Sequence, residues 1–237
     1  MIKQIIYGAL AGIHRKQGLN QIRRLEQKLY SVQARFAVPY AYKGKGHFKK
    51  IEPRQNPLEI EELYKTICIL APSKVLEIGT ARGGTLYLWT QASSTDAVIV
   101  SIDLPGGDFG GAYPLCRGPF YKSFAKTKQK IHLLRKDSHD SQTIEEVNDL
   151  FEKQPVDFIF IDGDHTYEGV KSDFLNYGRL VRPCGMIAFH DILYRSEVPD
   201  IQVFKFWQEI KDKYNSKEII GLEGSGRKIG IGIIIVE

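Results

Sequence analysis

The stretch Val75–Gly84, VLEIGTARGG, decides how the rest of the chain is organised. Its first four residues predict a buried strand, and the glycines after them predict a tight turn that leads into a helix. Glycine lets a backbone come close to a ligand, and the free N–H groups at the start of a helix attract one. The spacing differs from the G-x-G-x-x-G of dinucleotide sites, so the stretch alone fits a ligand turn or a plain strand–helix turn.

Downstream of this stretch, predicted strands and helices alternate. Apolar runs predict strands over residues 74–78, 97–102, 131–135, 156–161 and 186–190, and a closing pair over 218–222 and 229–236 around a turn at 224–227. Helical spacing predicts helices near residues 57–70, 84–91, 143–153, 167–180 and 201–214, and a short helix at 122–128.

Continuous apolar strands that are each followed by a helix favour a parallel sheet with both faces covered. The short turn of the closing pair makes one strand antiparallel. We therefore expect an α/β fold: a Rossmann-like, doubly wound, mostly parallel seven-stranded sheet with one antiparallel strand, preceded by an N-terminal helical extension.

The composition is that of an ordinary globular protein, with 43% apolar, 26% charged and 11% aromatic residues. No run approaches the roughly 18 apolar residues that cross a membrane, and the N-terminus lacks the apolar block of a secretion signal. Cys68, Cys116 and Cys184 are scattered without metal-type spacing. An odd, scattered set of cysteines favours a reducing, cytoplasmic setting without a disulfide framework.

The net charge of +5 is unevenly distributed along the chain. Residues 1–54 contain twelve Lys and Arg but two acids, a net +10, which leaves −5 for residues 55–237. We therefore expect two parts, a basic and partly helical extension over 1–54 and the main domain over 55–237. In the extension, Asn20 can cap a helix whose apolar face carries Ile22, Leu25, Leu29 and Val32.

Two interpretations of this extension stay open. A basic arm would suit an anionic partner such as a membrane surface, a phosphorylated substrate or a nucleic acid. A solvated helix that packs on the domain, or on a second copy in a homo-oligomer, would have the same charge pattern.

In sheets of this kind ligands bind at the carboxyl ends of the strands, so the residues that end each strand matter most. Asp103 ends the second strand about twenty residues after the glycine turn, where an acid can accept hydrogen bonds from ribose hydroxyls or cap a turn. Asp137-Ser138-His139-Asp140 ends the third strand and suits an adenine edge or the cap of the next helix. The glycine turn and Asp103 together favour a nucleoside ligand.

The fourth strand ends in the run DGDH and the fifth in HD. If the two strands are neighbours, Asp162, His190 and Asp191 form a mixed oxygen and nitrogen site for a hard or borderline divalent ion. His165, three residues past Asp162, would overlook the same spot. The alternative is a pair of ordinary strand-end turns, in which the acids cap helices and the histidines bond to the backbone.

Together these residues resemble the class I S-adenosylmethionine-dependent methyltransferases over residues 74–237. Glu77-x-Gly79-x-x-x-Gly83 is similar to their first motif, and Asp103 is similar to the acid that binds the cofactor's ribose. The resemblance implies an S-adenosylmethionine site built from Glu77, Gly79, Thr80, Gly83, Asp103, Asp137, Ser138 and Asp162.

The runs FIDGDHTYEGVK at 160–171 and PCGMIAFHD at 183–191 are similar to a narrower branch. It contains the cephalosporin-hydroxylase-like proteins and the metal-dependent macrolide-sugar O-methyltransferases. The resemblance implies that Asp162 and Asp191 bind magnesium and that His165 is the general base. Relatives in this branch often carry an acid where this chain has His190, a softer ligand that weakens the preference for magnesium.

The implied activity is methyl transfer from S-adenosylmethionine to a hydroxyl of a sugar or another small polyhydroxylated metabolite, assisted by a divalent cation. The loop at 104–121, rich in glycine and proline, is expected to cover the acceptor. Its aromatic residues Tyr113, Phe120 and Tyr121 would be stacking walls for the acceptor or anchors that hold the loop down.

Two other functions stay open. A binding or scaffold protein would keep the fold, with or without a bound cofactor, and dock through the basic extension. A nucleic-acid methyltransferase is the weaker interpretation, because no Asn/Asp-Pro-Pro-Tyr/Phe run follows the fourth strand. We therefore expect a small-molecule or glycan acceptor, no nucleic acid and no transmembrane segment. We also expect a homo-oligomer, and at most peripheral membrane contact through the extension.

Overall fold

The fold is taken from a computed structural model that describes residues 2–237 apart from 107, 108, 110, 112, 127 and 223–227. Its strands are β1 (Lys74–Ile78), β2 (Val98–Ile102), β3 (Lys130–Leu134), β4 (Val156–Ile161), β5 (Val181–His190), β6 (Asn215–Leu222) and β7 (Lys228–Ile235). Within the described residues they form one seven-stranded sheet in the order β3-β2-β1-β4-β5-β7-β6. β7 runs antiparallel to β5 and β6, and the other pairings are parallel.

This topology confirms the predicted fold class, including the antiparallel strand. The predicted turn at 224–227 lies outside the described residues. Strand order reverses at β1, which has β2 on one side and β4 on the other. A crevice opens at the carboxyl ends of strands where the order reverses, so the residues that follow β1, β2 and β4 meet there.

Helices cover both faces of the sheet. They are α1 (Ile2–Gln27), α2 (Val38–Ala41), α3 (Pro57–Leu70), α4 (Gly84–Ala92), α5 (Gly118–Lys122), α6 (Ser141–Leu150), α7 (Tyr167–Tyr177) and α8 (Val203–Ile210). α3 has the predicted bounds because Asn56 caps it in a capping box with Glu59, and Pro57 suits its first turn.

Two local predictions are wrong. The short helix expected at 122–128 is instead α5, four residues earlier, where Pro119 fits the first turn and the buried Phe120 anchors it. Asn20 does not cap a helix, because α1 runs continuously from Ile2 to Gln27. Asn20 lies inside this helix and faces solvent.

The core consists of two apolar clusters, one on each face of the sheet. Alternate residues of a strand point to opposite faces, so Val75 belongs to one cluster and Leu76 to the other. The first cluster is rich in aromatic side chains, with Trp89 of α4 packed 5.1 Å from Phe158 and 5.2 Å from Phe160 of β4, measured between ring centroids. α4 is buried along its whole length, which fixes the turn that precedes it.

The N-terminal extension packs into the first of these clusters. Its buried side chains include Ile22, Val38, Tyr42, Phe48 and Ile51. The Tyr87 hydroxyl of α4 also donates a 2.8 Å hydrogen bond to Glu26 of α1. Residues 1–54 therefore share a core with the sheet. None of the helices in the described part of the chain is long and apolar enough to span a membrane.

Residues 51–55, called the strap below, cross the start of α4. A Cβ added to Gly84 would lie 2.3 Å from the carbonyl oxygen of Ile51, so only glycine allows the strap this close. The Arg117 guanidinium fixes Lys50, the residue before the strap, by donating a 2.8 Å hydrogen bond to its carbonyl oxygen. It donates another 2.8 Å hydrogen bond to the Tyr121 hydroxyl. The strap therefore lies against the glycine turn that ends β1.

Candidate active site

A cavity of about 240 Å³ lies at the carboxyl ends of β1, β2, β3 and β4. Five of the residues predicted to bind a cofactor line it: Gly79, Asp103, Asp137, Ser138 and Asp162. His165 and Phe109 line it as well, beside the end of β4. Three other predicted residues, Glu77, Thr80 and Gly83, are absent from its described walls.

The two glycines of the turn have backbone roles. Gly79 has a φ of +102°, and a Cβ there would lie 2.1 Å from the carbonyl oxygen of Asp162. Gly83 has a φ of +75° and packs under the Tyr121 ring. Side chains are strained at both positions, so the turn requires glycine whatever ligand it meets.

Glu77 supports the glycine turn through buried hydrogen bonds. Its fully buried carboxylate accepts a hydrogen bond from Ser101, whose hydroxyl also lies 2.6 Å from the Thr80 hydroxyl. Burial raises the pKa of Glu77 to about 8, against the lowering effect of its hydrogen bonds to Ser101 and Thr85. The predicted motif acid therefore links β1, β2 and the turn in one buried network.

Asp103 faces the cavity from the end of β2. The residue is 5% exposed, and its Oδ2 accepts the backbone N–H of Ala81 at 3.2 Å. This bond ties the predicted ribose-binding acid to the glycine turn. A carboxylate fixed in this way at a cavity wall can accept further hydrogen bonds from paired hydroxyls.

The run that follows β3 is divided between the cavity wall and the start of the next helix. Asp137 and Ser138 line the cavity, whereas Asp140 caps α6 by accepting the Gln142 N–H at 2.9 Å. His139 Nε2 lies 3.3 Å from Oδ1 of the buried Asp173 on α7. The hydrogen bond to Asp173 raises the pKa of His139 to about 9, against the lowering effect of burial.

The ends of β4 and β5 bring the predicted catalytic and metal-binding residues together. His190 Nδ1 lies 3.1 Å from Asp162 Oδ1 and 3.4 Å from Asp191 Oδ2. His165 Nδ1 lies 3.0 Å from Asp191 Oδ2. Asp162, His165 and Asp191 each present a ligand atom within 4.8 Å of the others.

Strong coupling of charges accompanies this geometry. Burial would lower the pKa of His190, but the carboxylates of Asp191 and Asp162 raise it well above its usual range. The pKa of His165 is also raised, because its hydrogen bond to Asp191 and the charge of Asp162 outweigh burial. Burial would raise the pKa of Asp191, yet His190 and His165 hold it far below the ordinary range.

Three residues of this site carry no motif and were missed at the sequence level. Gln55 Nε2 donates to Asp162 Oδ2 at 2.6 Å, and Arg195 Nη2 donates to Asp191 Oδ1 at 2.6 Å. Glu59 Oε1 lies 3.0 Å from His190 Nε2. Glu59 has a visible local signal as the capping-box acid of α3, but that signal says nothing about β5.

The donor set fits a divalent cation. Asp162 Oδ1 and His190 Nδ1 are buried and make no hydrogen bond to any described residue, although they are 3.1 Å apart. Two ligands at right angles around an ion, each about 2.1 Å from it, are themselves about 3 Å apart. The 3.1 Å separation also fits a protonated His190 whose Nδ1–H points to Asp162. The site can therefore hold positive charge either as a bound cation or as a proton on His190.

Phe109 lines the cavity next to His165, and the centroids of the two rings are 5.1 Å apart. The aromatic residues singled out in the sequence lie elsewhere: Tyr113 is 3% exposed, and Phe120 and Tyr121 are fully buried. They anchor the 104–121 loop to the core, so of the two roles considered for them the structure supports the anchor and not the acceptor wall. Large aromatic side chains gain more from burial in a core than from exposure at a loop tip.

The family model described as "Methyltransferase domain" matches residues 76–192. The match begins in β1 and ends just after β5, so it contains the glycine turn, Asp103 and both clusters of acids and histidines. This confirms the class inferred from the sequence. Residues 76–192 belong to this family of methyltransferase domains.

Two solved structures share the fold. An O-methyltransferase from Bacillus cereus, in complex with S-adenosylhomocysteine (SAH), is 18% identical with a TM-score of 0.56, over 73% of this chain and 79% of that one. The O-methyltransferase TomG from Streptomyces achromogenes, involved in tomaymycin synthesis and in complex with S-adenosylmethionine (SAM), is 15% identical with a TM-score of 0.55, over 74% and 78%.

Two curated relatives, both uncharacterized proteins, align with about three fifths of the chain. One from Sinorhizobium fredii is 28% identical over 148 residues, which are 60% of this chain and 15% of that protein. One from Acanthamoeba polyphaga mimivirus is 28% identical over 152 residues, 61% of this chain and 58% of that protein. The aligned part is therefore well under two thirds of the length of either relative.

Proposed function

We propose that this chain transfers a methyl group from SAM to a hydroxyl of a sugar or another small polyhydroxylated metabolite, with His165 as general base. The observation that carries this proposal is the His165–Asp191 pair, whose His165 ring lines the same cavity as Asp103 and Gly79. A base next to a nucleoside-type cavity is the arrangement that methyl transfer to a hydroxyl requires.

The cavity supplies contacts for each part of the cofactor. Asp103 would accept hydrogen bonds from the ribose hydroxyls, and Asp137 and Ser138 would face the adenine edge. When bound, SAM supplies a methyl group that is already electrophilic. The two solved structures described above are O-methyltransferases that hold this cofactor or its product, which supports the same ligand here.

His165 is placed to take the acceptor proton. Asp191 holds the Nδ1 side of the ring at 3.0 Å, which favours the tautomer with the proton on Nδ1 and a free lone pair on Nε2. Arg195 in turn fixes Asp191 through the other carboxylate oxygen. The raised pKa of His165 makes it a stronger base, but it also means that the ring is neutral only above its ordinary titration range.

Asp162, His190 and Asp191 would hold the divalent cation. A bound cation of this kind can orient the acceptor oxygen and lower its pKa, which adds to the work of His165. His190 brings a nitrogen donor to an otherwise oxygen-rich site, so manganese or zinc competes better with magnesium than at an all-carboxylate site.

The test is a screen of free sugars, glycosides and nucleotide sugars with SAM, with SAH release as the readout. For any acceptor that turns over, His165→Asn is expected to lower kcat about 10²- to 10⁴-fold. Turnover that persists unchanged in this variant would remove His165 from the mechanism. Turnover that is equally fast with excess EDTA and in Asp191→Ala would remove the metal.

A further inference from the structure

A small recess opens beside the cofactor cavity, between the strap and the glycine turn. Its volume is about 20 Å³, enough for one group the size of a water molecule. Gly79, Ala81 and Asp162 line both the recess and the main cavity, so the two spaces are neighbours. A ligand in the cavity could therefore place one small polar group in the recess.

Gln55 of the strap shows what kind of group the recess suits. The residue is 6% exposed, and its Nε2 donates a 2.6 Å hydrogen bond to Asp162 Oδ2. Its Oε1 is buried and makes no hydrogen bond to any residue that the structure describes. A carbonyl oxygen can only accept, and burying it without a donor is costly, so a donor belongs next to it.

The charges around the recess favour the ammonium and carboxylate groups of an amino acid as its ligand. The Asp162 carboxylate beside Gln55 favours a cationic donor, which a primary ammonium group supplies. The exposed guanidinium side chains of Arg54 and Arg82 line the same recess and favour an adjacent carboxylate. An ammonium and a carboxylate on neighbouring atoms are the α-amino-acid end of SAM.

We infer that the strap recognises this amino-acid end: Gln55 and Asp162 accept hydrogen bonds from the α-ammonium, and Arg54 pairs with the α-carboxylate. The inference rests on the proposed function and goes beyond it, because residues 51–55 precede the matched domain at 76–192. It gives the end of the N-terminal extension, together with Gln55 that follows it, a part in the site. The close packing of Ile51 on Gly84 holds the strap in the position that this contact needs.

The test compares two ligands by isothermal titration of the full chain. SAH has the amino-acid end, whereas 5′-methylthioadenosine has the same adenosine and thioether without it. Gln55→Ala is expected to weaken SAH binding at least about tenfold while methylthioadenosine changes by less than about twofold. Arg54→Ala, a change at an exposed side chain with no cost to the core, should show the same selective loss.

Lys50→Ala is the matched control, because it removes one exposed positive charge just before the strap and should change neither affinity. Equal losses for both ligands in the Gln55 and Arg54 variants would overturn the inference, as would unchanged SAH binding. If neither ligand binds the wild-type chain, the proposed function itself fails. If the wild-type chain binds both ligands and the variants show no selective loss of SAH binding, only the inference about the strap fails.

Discussion

Replacing His139 with glutamine should remove a part of the stability that depends on pH. His139 follows β3, and its Nε2 lies 3.3 Å from Asp173 on α7 and 3.2 Å from the carbonyl oxygen of Gly169. The pair connects the run after β3, which lines the cavity, to α7. Asp173 has no exposed surface, and burial raises its pKa even though the hydrogen bond and charge of His139 act to lower it, so the net gain from the pair is smaller than the shift of His139 alone suggests.

The size of the effect follows from the pKa of His139, which rises from 6.5 to about 9 on folding. At about 1.4 kcal/mol per pH unit this corresponds to about 3 kcal/mol. The side chain is 30% exposed, and solvent screening there reduces the expected value to about 1–2 kcal/mol. A raised folded-state pKa means that this stability is fully present below pH 6.5 and is lost as the pH rises through 9.

The assay is urea unfolding of wild type and His139→Gln at pH 6 and at pH 9.5. The free energy of unfolding should differ by about 1–2 kcal/mol at pH 6 and by a few tenths at pH 9.5. His47→Gln, a change at an exposed histidine, is the control and should show no pH-dependent difference. A difference that is equal at both pH values, or larger at pH 9.5, would refute the ion pair.

Three further predictions concern the cavity and its turn. Asp103→Ala should weaken SAH binding about tenfold or more in a calorimetric titration, because the hydroxyl acceptor at the end of β2 is lost. His165→Asn should leave SAH affinity within about twofold while kcat falls about 10²- to 10⁴-fold in the SAH-release assay. Gly79→Ala should lower the free energy of unfolding in urea by at least about 3 kcal/mol, because its Cβ would meet the Asp162 carbonyl at 2.1 Å.

Each of these has a result that would count against it. Unchanged affinity in Asp103→Ala would place the ribose elsewhere. A parallel fall of affinity and kcat in His165→Asn would indicate a binding role instead of a base. A stable Gly79→Ala variant would mean that β1 and β4 can separate at their ends. Gly106→Ala is the matched control for a glycine at positive φ, because no atom of the described residues lies within 4 Å of its added Cβ.

The sheet could be predicted from the sequence because its signals are local. Buried parallel strands appear as continuous apolar runs, and β1 and β4 have the predicted bounds. Helical spacing of apolar residues gave the α3 bounds, and the structure adds the Asn56 cap and Pro57 as the physical reason for its start. Because parallel strands end at one edge of a sheet, the meeting of the acids and histidines after β4 and β5 also followed from topology.

The missed features depend on contacts between distant parts of the chain. Gln55 reaches Asp162 across 107 positions, and Glu59 reaches His190 across 131, so no local pattern reports either contact. Asn20 failed as a cap because local capping preference is weaker than the packing of a long helix on the core. The sequence left the loop aromatics open between acceptor walls and anchors, and burial in the core decides for anchors, as Tyr121 shows.

The most direct test of the account is a crystal structure of the full chain soaked with SAH and magnesium. We expect SAH in the cavity at the carboxyl ends of β1 and β2, with its ribose on Asp103 and its sulfur facing the side of His165. We also expect a metal ion among Asp162, His190 and Asp191. A cavity that stays free of SAH at saturating concentration, or SAH bound elsewhere, would contradict methyl transfer and favour a scaffold protein with this fold.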